Sequence, residues 1–160
     1  MMKKKSVMLL FLLYILILIK LIVFKYPVET MIGIMQNWSK DVLWEGAASA
    51  NYTLFKTIKL YIRHWNNLGM ISFGNLVGNV VLFIPLGYFL PRLFRTMNNF
   101  FLCMFTALTF ILGIEMFQLI SNFGIFDVDD IFLNGCGVVI GYVGYRGLRR
   151  VHKKMNKEKE

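Results

Sequence analysis

The chain has 160 residues, of which 57% are hydrophobic and 17% charged, with a formal net charge of +9. A soluble domain averages about 45–50% apolar and about 25% charged residues. The composition therefore excludes an ordinary soluble domain, disorder over most of the length, collagen, a coiled coil and a disulfide scaffold, and leaves a small integral membrane protein.

The first apolar stretch runs from Ser6 to Phe24. At about 1.5 Å per residue it reaches roughly 28 Å, enough for a hydrocarbon core of about 30 Å. Lys20 is its one charge and lies near the end, within snorkelling reach of the interface. Lys3, Lys4 and Lys5 resemble the n-region of a signal peptide. The apolar run is longer than an h-region, however, and no small-x-small site follows it promptly, so an uncleaved anchor is expected. Residues 25–73 contain no apolar run of spanning length. From Leu54 to Trp65 the residues Leu54, Phe55, Ile58, Tyr61, Ile62 and Trp65 recur at helical spacing, with Lys56, Lys59 and Arg63 on the other side. This predicts an amphipathic helix resting on the membrane surface, with a lid as the alternative. Further spans are expected from about Gly74 to Phe94, from Phe100 to Ile120 and from Asp130 to about Gly147.

Lys and Arg set the orientation. With the N-terminus inside, the cytoplasmic pieces hold 12 basic residues, residues 25–73 hold five, and the last external loop holds none. This bias predicts four spans with both termini cytoplasmic. The basic tail from Arg146 is expected to lie against anionic headgroups. No soluble basic face suggests nucleic acid. Cys103 and Cys136 fall at different depths, and no residues have zinc-ligand spacing, so neither a disulfide, a metal nor a cofactor is expected. His64 and His152 read as surface residues.

The informative residues are polar ones inside the spans. Asn75 and Asn79 are spaced i, i+4 in the second span, Glu115 and Gln118 i, i+3 in the third, and Asp130 and Asn134 i, i+4 in the fourth. Each pair lies on one helical face at the external end of its span. Asn79, Glu115 and Asn134 are roughly 6–8 Å deep at about 1.5 Å per residue, just below Asp127, Asp129 and Asp130. An acid in a span is costly, so Glu115 is expected to face the bundle. Two readings stand side by side: amide glue between helices, or a ligand site. Gly137, Gly141 and Gly144 continue the Asp130–Asn134 stripe and predict close helix packing, as does Gly78 with Gly74. Pro85 predicts a kink.

Asn75-Leu76-Val77-Gly78-Asn79 through Phe83-Ile84-Pro85-Leu86-Gly87 resembles the N-x-x-G-N-x-x-x-F-x-P-x-G segment of the VanZ-like membrane proteins. Glu115-Met116-Phe117-Gln118 resembles their E-x-x-Q, and Asp127 to Gly137 their D-x-x-D-x-x-x-N-x-x-G. Asn51-Tyr52-Thr53-Leu54-Phe55-Lys56-Thr57-Ile58 is similar to a weaker N-x-x-P-F-x-T-I element. The chain departs from the pattern at Leu54, where many members have Pro, and at Gly124 and Ile125, where many carry a basic residue before the aspartates. An oxyanion-binding role that used that charge is thereby weakened. The resemblance implies a small polytopic protein whose family is named for teicoplanin resistance.

The reading is an all-α bundle of four transmembrane helices plus an external interfacial amphipathic helix in a bacterial cell membrane. Residues 1–24 form the anchor, 25–73 the external segment, 74–147 a three-helix core and 148–160 the basic tail. The expected function is modulation of an envelope process at the outer leaflet, linked to glycopeptide resistance. Asn75, Asn79, Glu115, Gln118, Asp127, Asp130 and Asn134 are the ligand-binding candidates. The partners expected are membrane lipids and a lipid-linked or acylated ligand. Two alternatives stay open. One is a membrane enzyme acting on a lipid-linked substrate, with Glu115 as acid or base and Asp129 or Asp130 as its partner. The other is a non-catalytic scaffold. No Ser-His-Asp, Cys-His or metal-binding His signature supports the enzyme.

Overall fold

The structure, a computed structural model, describes residues 3–157, the side chains at 65–68 and 71–72 excepted. Among the described residues it is all-α. The helices are α1 (Lys4–Ile22), α2 (Val28–Gln36), α3 (Lys40–Ser49), α4 (Lys56–Arg63), α5 (Trp65–Leu93), α6 (Phe100–Ser121) and α7 (Val128–Lys157), with a 3₁₀ turn at Arg95–Asn98 between α5 and α6. Four of them are long and apolar enough to cross a membrane: Lys4–Ile22, Phe73–Leu93 of α5, Phe100–Ser121 and Val128–Lys157. Leu9, Leu16, Phe101, Phe105 and Val143 stay exposed around the outside. In water such a belt would be a large apolar liability; in a bilayer it is the lipid-facing surface.

Local chemistry sets the helix ends. The side chain of Asn99 caps α6 by accepting from Leu102 N–H at 3.1 Å, and Ser39 caps α3 through Val42 N–H at 3.2 Å. Asn122, in the left-handed region at φ 58°, ends α6. Within the bundle, Leu18, Phe83, Ile111 and Val138 meet in a buried core together with Cys103 and Ala107. The Tyr14 hydroxyl donates to Leu82 C=O at 2.9 Å. Phe11 lies against Phe89, whereas Gln118 reaches Ile22. Hence α1 starts at the end of the bundle where α5 finishes. The last turns of α7 lie there too, against the 3₁₀ turn, so both ends of the described chain share one side of the bundle.

The most extensive helix pair is α5 with α7, and glycine makes it possible. A Cβ on Gly137 would collide with the Val80 carbonyl, on Gly141 with the Ile84 carbonyl, and on Gly87 with the Val138 carbonyl. Two of the five glycines expected to pack do so, and Gly74 has nothing within 4 Å of a Cβ position. Gly78 and Gly144 have nothing within 4 Å of a Cβ position, which corrects the packing role expected of them. Gly144 falls off the four-residue row set by Gly137 and Gly141, and Tyr145 takes that row instead, meeting Tyr88 edge-on at 5.9 Å between ring centroids. Two aromatic rings hold the backbones apart there. Gly78 lies beyond the close approach at the opposite end.

Three boundaries differ from the sequence reading. The external amphipathic helix is Lys56–Arg63 rather than Leu54–Trp65, because Trp65 already opens α5. Residues 65–73 therefore extend the second long helix instead of closing the external segment; each added helical residue gains a hydrogen bond, and Gly69 alone does not stop it. The fourth helix likewise continues through the basic tail to Lys157, since cations near a helix C-terminus favour the helix dipole. Residues 158–160 of that tail lie outside the described residues. Helix α5 stays continuous through Pro85 and Pro91.

Gly141→Val is expected to lower the stability of the detergent-solubilised protein by about 1–3 kcal/mol, as overpacking does. Gly144→Ala should be neutral or slightly stabilising. Thermal unfolding of both variants checks this; similar melting temperatures would contradict the close contact of α5 and α7.

Candidate functional site

The site is assembled at the end of the bundle away from the termini. Its framework is a short two-way backbone bridge: Asn51 N–H donates to Phe126 C=O at 2.9 Å, and Val128 N–H donates to Asn51 C=O at 3.0 Å. Side chains reinforce it. The Asn51 amide donates to Asp127 Oδ1 at 2.7 Å and to Thr57 Oγ1 at 3.1 Å, and the Thr57 hydroxyl donates to Asp127 Oδ2 at 2.6 Å. Asp127 also caps α7, accepting from Asp129 N–H at 2.8 Å. One carboxylate thus starts a transmembrane helix and anchors an external segment.

Asp129 has a different task from the one considered for it. It is fully buried, and its carboxylate accepts from the backbone N–H groups of Thr57 at 2.7 Å, Ile58 at 3.1 Å and Phe55. Phe55 precedes α4 with φ 65° and has no side-chain acceptor of its own. The cap of α4 therefore comes from α7. Asp129 is consumed by this role and does not line the cavity below, which corrects its candidacy as an acid–base partner.

The remaining polar residues enclose a cavity of about 560 Å³. Asn75, Asn79, Glu115, Gln118, Asp127, Asp130 and Asn134 all contribute to its wall. Asn79 donates to Asp130 Oδ1 at 2.6 Å, joining α5 to α7. Asn75 donates to the Tyr61 hydroxyl at 3.0 Å, joining α5 to α4. Gln118 donates to Ile22 C=O at 3.1 Å, joining α6 to the end of α1. Glu115, 2% exposed, accepts from Asp127 N–H at 3.2 Å. Asn134 is equally buried, and its Oδ1 has no hydrogen-bond partner. A buried carbonyl without a donor costs about 1–3 kcal/mol, so Asn134 is an acceptor in need of one. Gly74 and Gly78 also line the cavity, where the absence of side chains leaves open space rather than a helix contact.

Lys25, Lys56, Tyr61 and Ile125 are also in the wall. Ile125 stands near the position where a basic residue would precede the aspartates, and the cations come instead from the end of α1 and from α4. Sequence reasoning did not place Lys25 or Lys56 here: Lys25 entered only the count of basic residues in 25–73, and Lys56 read as the polar side of the amphipathic helix. It quoted Asn51 and Thr57 without a role; the pairing of 51 with 127 is tertiary and leaves no periodic trace. The wall thus mixes donors (Lys25, Lys56, Tyr61) with acceptors (Glu115, Asp130, Asn134), a set suited to a multiply hydrogen-bonding polar headgroup. Among the described residues, no group of three or more His, Cys, Asp or Glu is placed to hold a metal.

A family model described as VanZ/LLP1 matches residues 11–150. The chain belongs to the VanZ/LLP1 family. The match runs from within α1 to within α7 and takes in α5, α6 and the external segment, so both aspartate anchors of the cavity lie inside the VanZ/LLP1 region. No curated protein and no solved structure matches the chain.

Removing the Asp129 carboxylate should release α4 while leaving the bundle in place. Asp129→Ala is expected to destabilise the external segment by about 2–4 kcal/mol, the cost of lost capping bonds. Trypsin should then cut rapidly at Lys56, Lys59 or Arg63. Asp130→Asn, which keeps a group able to accept from Asn79, should stay resistant. Equal resistance of both variants would contradict the capping role.

Proposed function

We propose that this VanZ/LLP1 family membrane protein binds the polar part of an amphipathic, lipid-linked or acylated ligand at the outer leaflet. Through that binding it modulates an envelope process, with protection against glycopeptides of the teicoplanin type as the phenotype. The observation that carries the reading is the polar cavity at the end of an otherwise apolar bundle, with an unpartnered buried acceptor, Asn134 Oδ1, in its wall. Glue alone accounts for the Asn75, Asn79 and Gln118 bonds but leaves Asn134, Lys25 and Lys56 without a purpose. Orientation rests on the Lys and Arg bias, which puts the cavity outside and both termini in the cytoplasm. An acyl chain concentrates a ligand at this depth, because each buried CH₂ contributes about 0.8 kcal/mol. A soluble glycopeptide bound to the cell wall does not reach a cavity set into the bundle end.

A second reading, chemistry on a lipid-linked substrate, is favoured by one feature: Glu115 and Asp130 border the same cavity and could act as an acid–base pair.

Expression in a susceptible host should protect against an acylated glycopeptide and not against one without the chain. Glu115→Gln, which keeps shape but removes charge, should abolish protection at normal protein levels. Losing one hydrogen bond to a charged group costs about 1.5–3 kcal/mol, at least about tenfold in affinity. Asn134→Leu should do the same, and Lys157→Gln should not. Equal protection against both drugs would place the action at the cell wall; full protection by both cavity variants would remove the cavity from the function.

Orientation has its own test. Single cysteines at 40, 97, 125 and 155, with Cys103 and Cys136 replaced by alanine, should label from outside at 40 and 125 and from inside at 97 and 155. Labelling of position 125 only from the cytoplasm would reverse the orientation and with it the outer-leaflet reading.

A further inference from the structure

A second cavity of about 560 Å³ lies at the opposite end of the bundle, between the end of α5, the 3₁₀ turn and the last turns of α7. We propose that it binds the phosphate group of an anionic membrane lipid.

The cavity is built by one residue. The Asn98 backbone carbonyl accepts from the Tyr142 hydroxyl and from Arg146 Nη1 at 3.4 Å, and Asn98 Oδ1 accepts from the Tyr145 hydroxyl at 3.2 Å and from Arg149 Nη1. These bonds clamp α7 onto the 3₁₀ turn. The clamp sets Arg92 and Arg95 on one wall and Arg149 and Lys153 on another. Among the described residues, no Asp or Glu contributes to the wall. Among the described residues the side chains of Arg92, Arg95 and Lys153 have no hydrogen bond or ion pair. The acidic residues Glu115 on α6, Asp127 just before α7, and Asp129 and Asp130 in the first turn of α7 all sit at the opposite end of the bundle.

Four cations around one space repel each other, and an anion seated among them converts that repulsion into attraction. Arginine favours phosphate in particular, because its planar donor fork matches two phosphate oxygens. The rest of the wall selects the carrier. Tyr88, Pro91 and Leu148 line the same cavity, and Leu148 is exposed. An acyl chain or glycerol backbone would cover these apolar groups, whereas a soluble phosphate would leave them wet. The cavity also lies at the bundle end where α1 begins with Lys4 and Lys5. Arg150 and Lys157 lie on the same helix but outside the cavity, which separates a built site from a merely basic tail.

The test uses the full chain in phosphatidylcholine nanodiscs with and without a minor fraction of phosphatidylglycerol, reading bound lipid by native mass spectrometry. Phosphatidylglycerol should be retained over phosphatidylcholine. A cation near the membrane surface is worth about fivefold in anionic lipid binding, so Arg92→Gln combined with Lys153→Gln should weaken retention about twenty-fivefold. Arg92→Lys combined with Lys153→Arg should restore it. Arg150→Gln combined with Lys157→Gln should weaken it far less. Size-exclusion profile and circular dichroism confirm that each variant is folded, which is expected because neither Arg92 nor Lys153 makes a structural bond. Equal losses for the two Gln pairs would show a diffuse charge effect and overturn the site. Displacement of the bound lipid by millimolar inorganic phosphate would assign the cavity to a soluble phosphate and overturn the lipid assignment, as would retention of both lipids alike.

Discussion

Everything at the polar end of this protein hangs on the first turn of α7. Two carboxylates there, Asp127 and Asp129, take up six hydrogen bonds between them, from the Asn51 amide, the Thr57 hydroxyl and four backbone N–H groups. Charge-assisted bonds of this kind are about twice as strong as neutral ones. They fix the start of α7, close a bridge between residues distant in sequence and hold α4 across the bundle end. Without them Lys56, Thr57 and Tyr61 would have no reason to face Glu115 and Asn134, and the cavity would be an open notch. The order of the acids is therefore functional in a mechanical sense: Asp127 joins, Asp129 caps, and Asp130, one residue further round the helix, turns into the cavity.

Membrane physics explains why this polarity is tolerated. A hydrogen-bonding group inside a bilayer must find a partner in the protein. Asn75, Asn79 and Gln118 each tie two helices together, so the bundle is polar where it is self-satisfied and apolar where it meets lipid. The glycine contacts between α5 and α7 lie farther down, where backbones touch directly. Beyond those contacts, towards the polar end, Gly74 and Gly78 carry no side chain to fill the cavity.

Much of this was legible from residues alone. The spans follow from apolar run length, and the common depth of Asn79, Glu115 and Asn134 follows from a fixed rise per residue. The illegible part was everything that depends on which helix meets which. Gly78 and Gly137 look alike as sequence, since each opens or closes a small-residue pair. Only the crossing point of α5 and α7 makes one a contact and the other a cavity wall. Gly87 carried no pairing signal, yet it sits on the Val138 carbonyl. Lys25 follows a hydrophobic span like any interfacial lysine, and nothing before folding says that it will face three acids. Asn51 and Asp127 are paired by a single bridge, too short for any pattern.

The choice between glue and site was posed as a choice about the whole polar set, and the geometry divides the set instead. Asn75, Asn79 and Gln118 have partners in other helices, and Asp129 is spent on a cap. Asp130 holds Asn79 through one oxygen, and Glu115 takes a single backbone N–H from the loop above it. Asn134 Oδ1 has no partner at all. A scaffold selected only for stability would gain by replacing Asn134 with an apolar residue of similar size, because a buried acceptor without a donor costs more than a methyl group in the same place. Beside Glu115, in a wall that also carries two lysines, Asn134 Oδ1 keeps an accepting capacity that packing does not use. The Asn75, Asn79 and Gln118 bonds hold the helices at the separation that leaves the cavity between them.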